Sequence, residues 1–331
     1  MSSKLLTIAI PTFNRAHELD RQLEWVSRVI RGHEADCEVL VSDNCSTDDT
    51  QAIAQKWKDA LPEIRFRIHK NSENIGLIPN IAQCLRLAET AYVWAIGDDD
   101  PIQDRALGFV LDRIHKYPDL SLLFLNFSGR NQLTGEPVSP PTIEGNRWLD
   151  ADCDEGTTDG EAIFEYCLAK SIGSVQFLTA TIYRTELVQK AMQIWPTSYS
   201  NWDALVYWAG YCAARGRVIV TKETFMECIV GVSYWQKDPQ HAINMQLKDA
   251  PEIFRYLQQT GYSDRFYWRM MLQAFQDAKI RVFLGALRRW PLLTLKLSFP
   301  FIFEVGLSAI GLVIYRLKNL GQPQLQRATW Q

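Results

Sequence analysis

Short apolar runs alternate with amphipathic stretches along the first two thirds of the chain. The runs at 5–10, 38–42 and 91–96 have the length and composition of buried strands, and residues 65–69 alternate in the manner of a strand. Between these runs, apolar residues recur at helical spacing. Because strands that alternate with helices are typical of βαβ units, we predict an α/β fold with a doubly wound, mostly parallel sheet flanked by helices.

Further strands are predicted at 122–127, 177–184 and 218–220, with helices between them. The segment 129–160 departs from this pattern, since it is rich in proline, glycine and acidic residues. A loop of this length in a compact domain is usually a functional lid or disordered, so we expect it to be mobile. We place one α/β domain at 1–240 and a helical C-terminal region at 241–331.

The C-terminal region contains an apolar run at 297–315 that is interrupted by Pro300 and Glu304. A run of this length just reaches across a hydrocarbon core of about 30 Å, but a central carboxylate would cost about 2.5 to 3.5 kcal/mol. Basic and aromatic residues precede it, namely Arg281, Phe283, Arg288, Arg289, Trp290 and Lys296. We therefore favour a helix that lies on an anionic membrane surface. Packing against the α/β domain, or against a second copy in a homo-oligomer, is the alternative.

Three consecutive carboxylates, Asp98, Asp99 and Asp100, follow the apolar run at 91–96. In open α/β sheets, ligands bind in the crevice at the carboxyl ends of the strands. Adjacent carboxylates repel one another unless a cation neutralises them, and oxygen ligands suit Mg²⁺ or Mn²⁺. The triplet therefore predicts a metal that holds the phosphates of a substrate. The alternative is an acidic turn that caps the next helix.

Composition limits the class of protein. The chain has 331 residues, of which 47% are hydrophobic, so it can build a large core. A net charge of -3 gives no global sign of nucleic-acid binding. Seven cysteines without CxxC spacing indicate reduced thiols, and the short N-terminal apolar run does not have the form of a secretory signal. We therefore expect a cytoplasmic location for the α/β domain.

Four motifs stand where ligand-binding loops are expected. They are 11–15 after the first strand, 42–48 after the second, 74–76 together with Asn80, and 97–100 after the fourth. In this order they resemble the family 2 glycosyltransferases with the GT-A fold, over residues 4–235. Within that family, the chain is similar to abequosyltransferase-like enzymes of bacterial surface polysaccharide synthesis.

The resemblance implies where a nucleotide-sugar donor binds. Its binding residues would be Pro11, Thr12, Asn14, Arg15, Asp43, Asn74, Gly76, Asn80, Asp98 and Asp99. Among these, Asp43 matches the acid that contacts the base of the nucleotide. Asp98 and Asp100 frame an Asp-x-Asp (DXD) motif for Mn²⁺ or Mg²⁺, with Asp100 as the main ligand. His241 is a further candidate ligand, and the alternative for it is a solvent-exposed loop histidine.

The resemblance also implies a catalytic base. Members of the family carry it in a Glu-Asp pair at the start of a late helix, and Asp203 matches the second member. The departure from that pattern is Trp202, which stands where Glu is common. A helix N-terminus favours an ionised carboxylate, which suits a base and equally suits a capping residue. Asp203 therefore has both interpretations.

The function implied is an inverting, metal-dependent glycosyltransferase, transferring a hexosyl or deoxyhexosyl group. It would move a sugar from a nucleotide-diphosphate sugar to a saccharide linked to a polyprenyl diphosphate, at the inner face of the cell membrane, in polysaccharide or lipopolysaccharide O-antigen synthesis. One alternative is a sugar nucleotidyltransferase, but the loop 11–15 lacks the glycine-rich basic pattern that this class would need. Another is a catalytically degenerate, membrane-bound assembly subunit. A dehydrogenase is disfavoured because no GxGxxG follows the first strand.

Overall fold

A computed structural model of the protein describes residues 4–140, 143–151, 153–231, 239–277 and 280–319. Within these residues eight strands join in one sheet: β1 (Leu6–Thr12), β2 (Cys37–Asp43), β3 (Arg65–Lys70), β4 (Tyr92–Ala95), β5 (Leu120–Asn131), β6 (Cys153–Thr157), β7 (Thr181–Arg184) and β8 (Arg217–Val230). Their order across the sheet is β3-β2-β1-β4-β7-β5-β8-β6.

The first half of the sheet is parallel. β1 pairs with β2 and β4, and β2 pairs with β3, all in the parallel sense, so that Thr12 lies beside Asp43 at the carboxyl ends. β7 then runs antiparallel between β4 and β5, while β5 and β8 are parallel and β6 is an antiparallel edge strand. The predicted α/β fold with a mostly parallel sheet is confirmed.

Helices cover both faces of the sheet. In chain order they are α1 (Ala16–Val29), α2 (Thr50–Ala60), α3 (Leu77–Leu87), α4 (Arg105–Lys116), α5 (Gly160–Lys170), α6 (Thr185–Ile194), α7 (Ala204–Ala213), α8 (Pro239–Asn244), α9 (Ala250–Gln259), α10 (Asp264–Asp277), α11 (Ile280–Arg289) and α12 (Pro291–Lys318). One hydrophobic core lies under α1, α2 and α4, and the other lies under α3, α5, α6 and α7. The side chains of β1 alternate between the two cores, because successive residues of a strand point to opposite faces.

Two sequence predictions need correction. The segment 129–160 is not wholly loop, because β5 continues to Asn131, β6 occupies 153–157, and Leu149 is buried beside Asn126, whose side-chain oxygen accepts a hydrogen bond from the Leu149 amide at 3.0 Å. Its mobility stays a prediction. The strand predicted at 177–184 covers only 181–184, since residues 178–180 form a 3₁₀ turn. A short apolar run does not distinguish these two conformations.

The C-terminal helices share a core with the sheet. Phe254 and Leu257 of α9 and Met270 of α10 belong to the same buried cluster as α7, and a π-helical turn, Met245–Asp249, joins α8 to α9. α12 packs along α10 through Phe301 and Val305. By length and composition it is apolar enough to cross a membrane, and only 28% of its most apolar window is buried.

Candidate functional site

The carboxyl ends of β1 and β4 bring the acidic triplet into contact with the first loop. The Thr12 hydroxyl donates a hydrogen bond to Asp98 Oδ2 at 2.7 Å. The Arg15 guanidinium lies 3.0 Å from Asp98 Oδ1 and also forms an ion pair with Asp99. We call this cluster of Thr12, Arg15 and Asp98 to Asp100 the donor edge. Asp98 to Asp100 also line a polar pocket of about 140 Å³ beside α1.

Asp100 is held by the turn that replaces the predicted strand. The Thr179 hydroxyl donates a hydrogen bond to Asp100 and accepts one from the Gly97 amide at 2.8 Å. The Asp100 carboxylate folds back against Gly97, where the Cβ of any other residue would collide with it. The glycine that precedes the three acids is therefore a steric requirement for this conformation.

The donor edge has more negative charge than its described cations offset. Burial raises the pKa of Asp98 to about 6, although Arg15 and Thr12 act in the opposite direction. Burial, together with the neighbouring acids Asp99 and Asp98, raises the pKa of Asp100 to about 7 against the effect of Thr179. A bound cation would reverse both shifts, because it stabilises the ionised carboxylates.

These carboxylates fit a divalent metal that is shared with a substrate. Among the described residues, no three His, Cys, Asp or Glu side chains come together in a group able to hold a metal ion by themselves. Mg²⁺ is usually bound by one or two carboxylates together with substrate phosphates and water, and such a site needs no third protein ligand. Asp98 is buried and Asp100 is half-buried, and both are short of positive charge, so they meet that requirement.

The loop after β2 forms a network of polar contacts around Asp43. The fully buried carboxylate of Asp43 accepts hydrogen bonds from the Ser46 amide at 2.9 Å and from the Gln51 side chain at 2.6 Å, and Lys70 lies 3.8 Å away. Pro11 lies beside Ser42 in the β1–β2 pairing. Asn14 has a φ of 52°, and its side chain accepts a hydrogen bond from the Thr47 amide at 2.8 Å, so it locks the two loops together.

An asparagine network fixes the loop after β3. The side chain of Asn44 donates to Asn74 at 2.8 Å and to the carbonyl of Gly76 at 3.2 Å. Gly76 has a φ of 91°, a conformation that favours glycine. The Asn80 side chain accepts hydrogen bonds from Ser42 at 2.8 Å and from Asn71 at 3.0 Å. Asn74 and Asn80 thus hold the loop in place, and their predicted contact with a nucleotide stays a prediction.

Asp203 lies immediately before α7 and is only 1% exposed. Its carboxylate does not cap the helix and instead accepts a hydrogen bond from the side chain of Gln176. Burial and the nearby carboxylate of Asp249 raise the pKa of Asp203 to about 8, against the effect of Gln176. Asp203 therefore does not cap the helix through its side chain, and its role as a base stays a prediction.

One short segment links Asp203 to the donor edge. Gln176 contacts Asp203 and Thr179 contacts Asp100, and these two residues are three positions apart. Even fully extended, three residues span no more than about 11 Å. We call residues 176–179 the bridging segment. It connects a buried carboxylate with a raised pKa to the acidic edge of the sheet through one hydrogen bond at each end, although the two are far apart in sequence.

The structure places His241 in a helix and not in an exposed loop, and its role as a metal ligand stays a prediction. It lies in α8, is 9% exposed, and its ring meets Trp202 edge-on with 3.8 Å between the centroids. It is therefore not an exposed loop residue. Among the described residues it does not join Asp98 and Asp100 in a group able to hold a metal. The contact with Trp202 places His241 on the Asp203 side of the site.

Sequence reasoning missed the bridging segment. Gln176 and Thr179 carry no motif, and the apolar residues around them read as strand. Arg184, the last residue of β7, lies at the opposite end of the strands, where it donates hydrogen bonds to the carbonyls of Leu120 and Pro118. The one feature of the sequence that could have pointed to Thr179 is its polar side chain within an otherwise apolar run.

The comparisons with known proteins agree with this arrangement. Residues 7–153 match the model of glycosyl transferase family 2, so this part of the chain is similar to that family. "Abequosyltransferase RfbV" of Salmonella typhimurium is 27% identical over 214 residues, which cover 62% of this chain and 56% of the relative. A "GalNAc(5)-diNAcBac-PP-undecaprenol beta-1,3-glucosyltransferase" of Campylobacter jejuni is 26% identical over 111 residues, covering 34% of this chain and 35% of the relative. The chain spans about half of the first relative's length and a third of the second's.

Solved structures show the same GT-A fold. TarS 1–349 of S. aureus in complex with UDP-GlcNAc has a TM-score of 0.61 at 16% identity, covering 84% of this chain and 75% of that one. The mannosyltransferase PcManGT of Pyrobaculum calidifontis, solved with GDP-Man and Mn²⁺, has a TM-score of 0.52 at 14% identity, covering 98% and 89%. At these identities the likeness concerns the fold.

Proposed function

We propose that the protein is a glycosyltransferase that moves a sugar from a nucleotide-diphosphate sugar to the hydroxyl of a saccharide during polysaccharide synthesis. The observation that carries this proposal is the bridging segment, which holds Asp203 beside the donor edge. The similarity to family 2 supports the class of reaction, and the relatives support polysaccharide synthesis as its setting. The solved neighbours bind UDP-GlcNAc and GDP-Man, which supports a nucleotide sugar as donor.

The donor would lie across the carboxyl ends of β1, β2 and β4. Asp43 would contact the base of the nucleotide, and Arg15, which pairs with Asp98, would approach the diphosphate. Asp100 and Asp98 would hold Mn²⁺ or Mg²⁺, and the bound metal would neutralise the diphosphate as it departs. Thr12 and Thr179 orient these two carboxylates through their hydroxyl groups.

Asp203 would act as the catalytic base. The oxygen of the acceptor hydroxyl forms a bond to the anomeric carbon, the bond from that carbon to the diphosphate breaks, and the hydroxyl proton passes to the Asp203 carboxylate. A pKa of about 8 gives this carboxylate the proton affinity that a base needs near neutral pH. Attack from the side of the ring opposite to the diphosphate inverts the anomeric configuration.

Calorimetry tests the donor half of this proposal. We expect one sugar nucleotide from a panel of UDP, GDP, CDP and dTDP sugars to bind in the presence of Mn²⁺. Asp100→Ala should abolish the metal-dependent part of the binding, because it removes the main metal ligand. Asp112→Ala, on the exposed surface of α4, is the matched control. If no sugar nucleotide binds, with or without metal, the proposal is wrong.

The exposed face of α12 supports an acceptor that is linked to a lipid. Large apolar side chains cover this face, including Leu292, Leu295, Phe299, Ile302, Phe303, Leu307, Ile310, Val313, Ile314 and Leu317. Exposed basic residues flank them, namely Arg288, Arg289, Lys296, Arg316 and Lys318. An apolar face with flanking cations fits the surface of an anionic bilayer. The protein would then work at the inner face of the cell membrane.

The inner face of α12 argues that the helix lies on the membrane rather than across it. Glu304 forms an ion pair with Arg255 of α9 and accepts a hydrogen bond from Tyr267 of α10. A spanning helix would have to break these contacts or carry them into the hydrocarbon, where a charge is costly. The indole of Trp268 also packs against Gly311, which leaves no room for a larger residue.

Vesicle sedimentation tests the membrane proposal. The protein should sediment with phosphatidylglycerol vesicles and less with phosphatidylcholine vesicles. Phe299→Glu combined with Phe303→Glu should abolish sedimentation, whereas Leu133→Glu, at a residue that is 87% exposed outside α12, should not. Unchanged sedimentation of the double variant would overturn the proposal, and so would its conversion from a dimer to a monomer in solution, since a second copy would then cover α12.

A further inference from the structure

A cavity of about 430 Å³ opens beside Asp203. Its walls come from α5, the π-helical turn, α9 and α10, together with Gln176 at the start of the bridging segment. It is about three times as large as the polar pocket at the donor edge, at about 430 Å³ against about 140 Å³. A group that enters this cavity meets Asp203 from the side away from the bulk of the sheet.

Apolar side chains make up most of the wall. They include Leu168, Ile172, Met245, Phe254 and Met270. The polar groups are amides and carboxylates, supplied by Gln176, Asp203, Gln246, Gln273 and Asp277. A site of this composition binds a ligand through apolar surface and a few placed hydrogen bonds.

The described residues of the wall offer no positive charge to an anion. No Lys, Arg or His is among the described residues that line the cavity, whereas two carboxylates are. A phosphate or carboxylate group that entered it would lose its hydration and would find no cation among these residues to pair with. The donor edge differs in this respect, because Arg15 contacts its acids there.

We propose that this cavity binds the terminal sugar of the acceptor, and that it selects a neutral sugar with apolar substituents, such as a deoxy sugar or an N-acetylated amino sugar. The reacting hydroxyl would face Asp203, while methyl groups would lie against Ile172, Met245 and Met270. Any diphosphate that links the saccharide to a lipid would remain outside the cavity. This inference rests on the proposed function, since it assigns Asp203 as the base.

A binding panel on the unmodified protein tests the selection. Octyl glycosides of rhamnose, N-acetylglucosamine, glucose and glucuronic acid are titrated by calorimetry in the presence of the nucleoside diphosphate of the donor that binds. The rhamnoside and the N-acetylglucosaminide should bind at least tenfold more tightly than the glucuronide, with the glucoside between them. Binding of the glucuronide as tight as that of the neutral glycosides would overturn the proposal, and so would a failure of every neutral glycoside to bind.

A variant that fills the cavity tests its location. Ala274 of α10 lines the cavity, and Ala274→Phe should raise the Kd of the bound glycoside at least tenfold. The Kd of the donor should not change, because the donor edge lies beyond the bridging segment. Ala60→Phe, at the exposed end of α2, is the control of equal size change. If the unmodified protein binds no donor, the proposed function is wrong. If Ala274→Phe binds the glycoside normally, only the assignment of the glycoside to this cavity is wrong.

Discussion

The pockets at the two ends of the bridging segment differ in charge and size. At the donor edge, Asp98 to Asp100 line a small polar pocket together with Glu18 and Arg21. Arg15 forms ion pairs with two of these acids, and such a site suits phosphates held through a metal. Beside Asp203 the cavity is larger and mostly apolar, and its charged groups are acids. The donor and the acceptor of a transferase react at one bond, but in this chain they would bind in two pockets that differ in charge and polarity. Variants at each end should therefore affect one substrate and spare the other.

The largest effect is expected from Asp203→Asn. Asparagine keeps the size of the side chain and its hydrogen bond from Gln176, but it does not accept a proton. General base catalysis contributes typically about 10² to 10⁴ in rate, so we expect kcat to fall about 10³-fold. The Kd of the donor, measured by calorimetry, should stay within twofold of the unmodified protein. A variant that retained more than a tenth of the activity would exclude Asp203 as the base.

The same variant should not lose stability at pH 7. Burial and Asp249 raise the pKa of Asp203 in the folded protein to about 8, above the value in the unfolded chain. The folded state therefore binds more protons between these two pKa values, and the free energy of unfolding falls as the pH rises through that range. Asp203→Asn removes this cost, so its Tm at pH 7 should equal or exceed that of the unmodified protein. A lower Tm would mean that the lost activity reflects damage to the fold.

The sequence predicted that the residues of the donor edge lie together, because each motif directly follows the strand that positions it. The strands β1, β2 and β4 each end in the polar loop that their motifs predicted, and the parallel order brings these loops together. Gly97 and the three acids form a single motif whose geometry depends on four adjacent residues.

The position of the bridging segment could not be predicted from the sequence, because it depends on the direction in which the chain returns to the sheet. β7 enters antiparallel between β4 and β5, and the pattern of its residues does not reveal that direction. The preceding turn then places Thr179 against Asp100 and Gln176 against Asp203. The cavity likewise needs α9 and α10, whose apolar faces alone do not show what they enclose.

A smaller effect is expected from Gln176→Leu. The Gln176 side chain donates a hydrogen bond that favours the ionised form of Asp203, so its loss should raise the pKa of that carboxylate further. A rise of one pKa unit leaves about tenfold less base at neutral pH. The activity at pH 7, measured as kcat/KM for the acceptor, should therefore fall about tenfold and recover as the pH is raised. A loss that is the same at every pH would show that Gln176 only supports the fold.

The smallest effect is expected from Thr179→Val, at the other end of the bridging segment. This change removes the hydroxyl that donates to Asp100 and leaves a side chain of the same shape. The metal would still neutralise Asp100, so we expect the metal-dependent Kd of the donor to rise only about fivefold, the size of one net hydrogen bond. Thr134→Val, on an exposed turn, is the matched control. The Kd of the acceptor glycoside should not change, and a change there as large as that for the donor would show that the two pockets are not chemically separate.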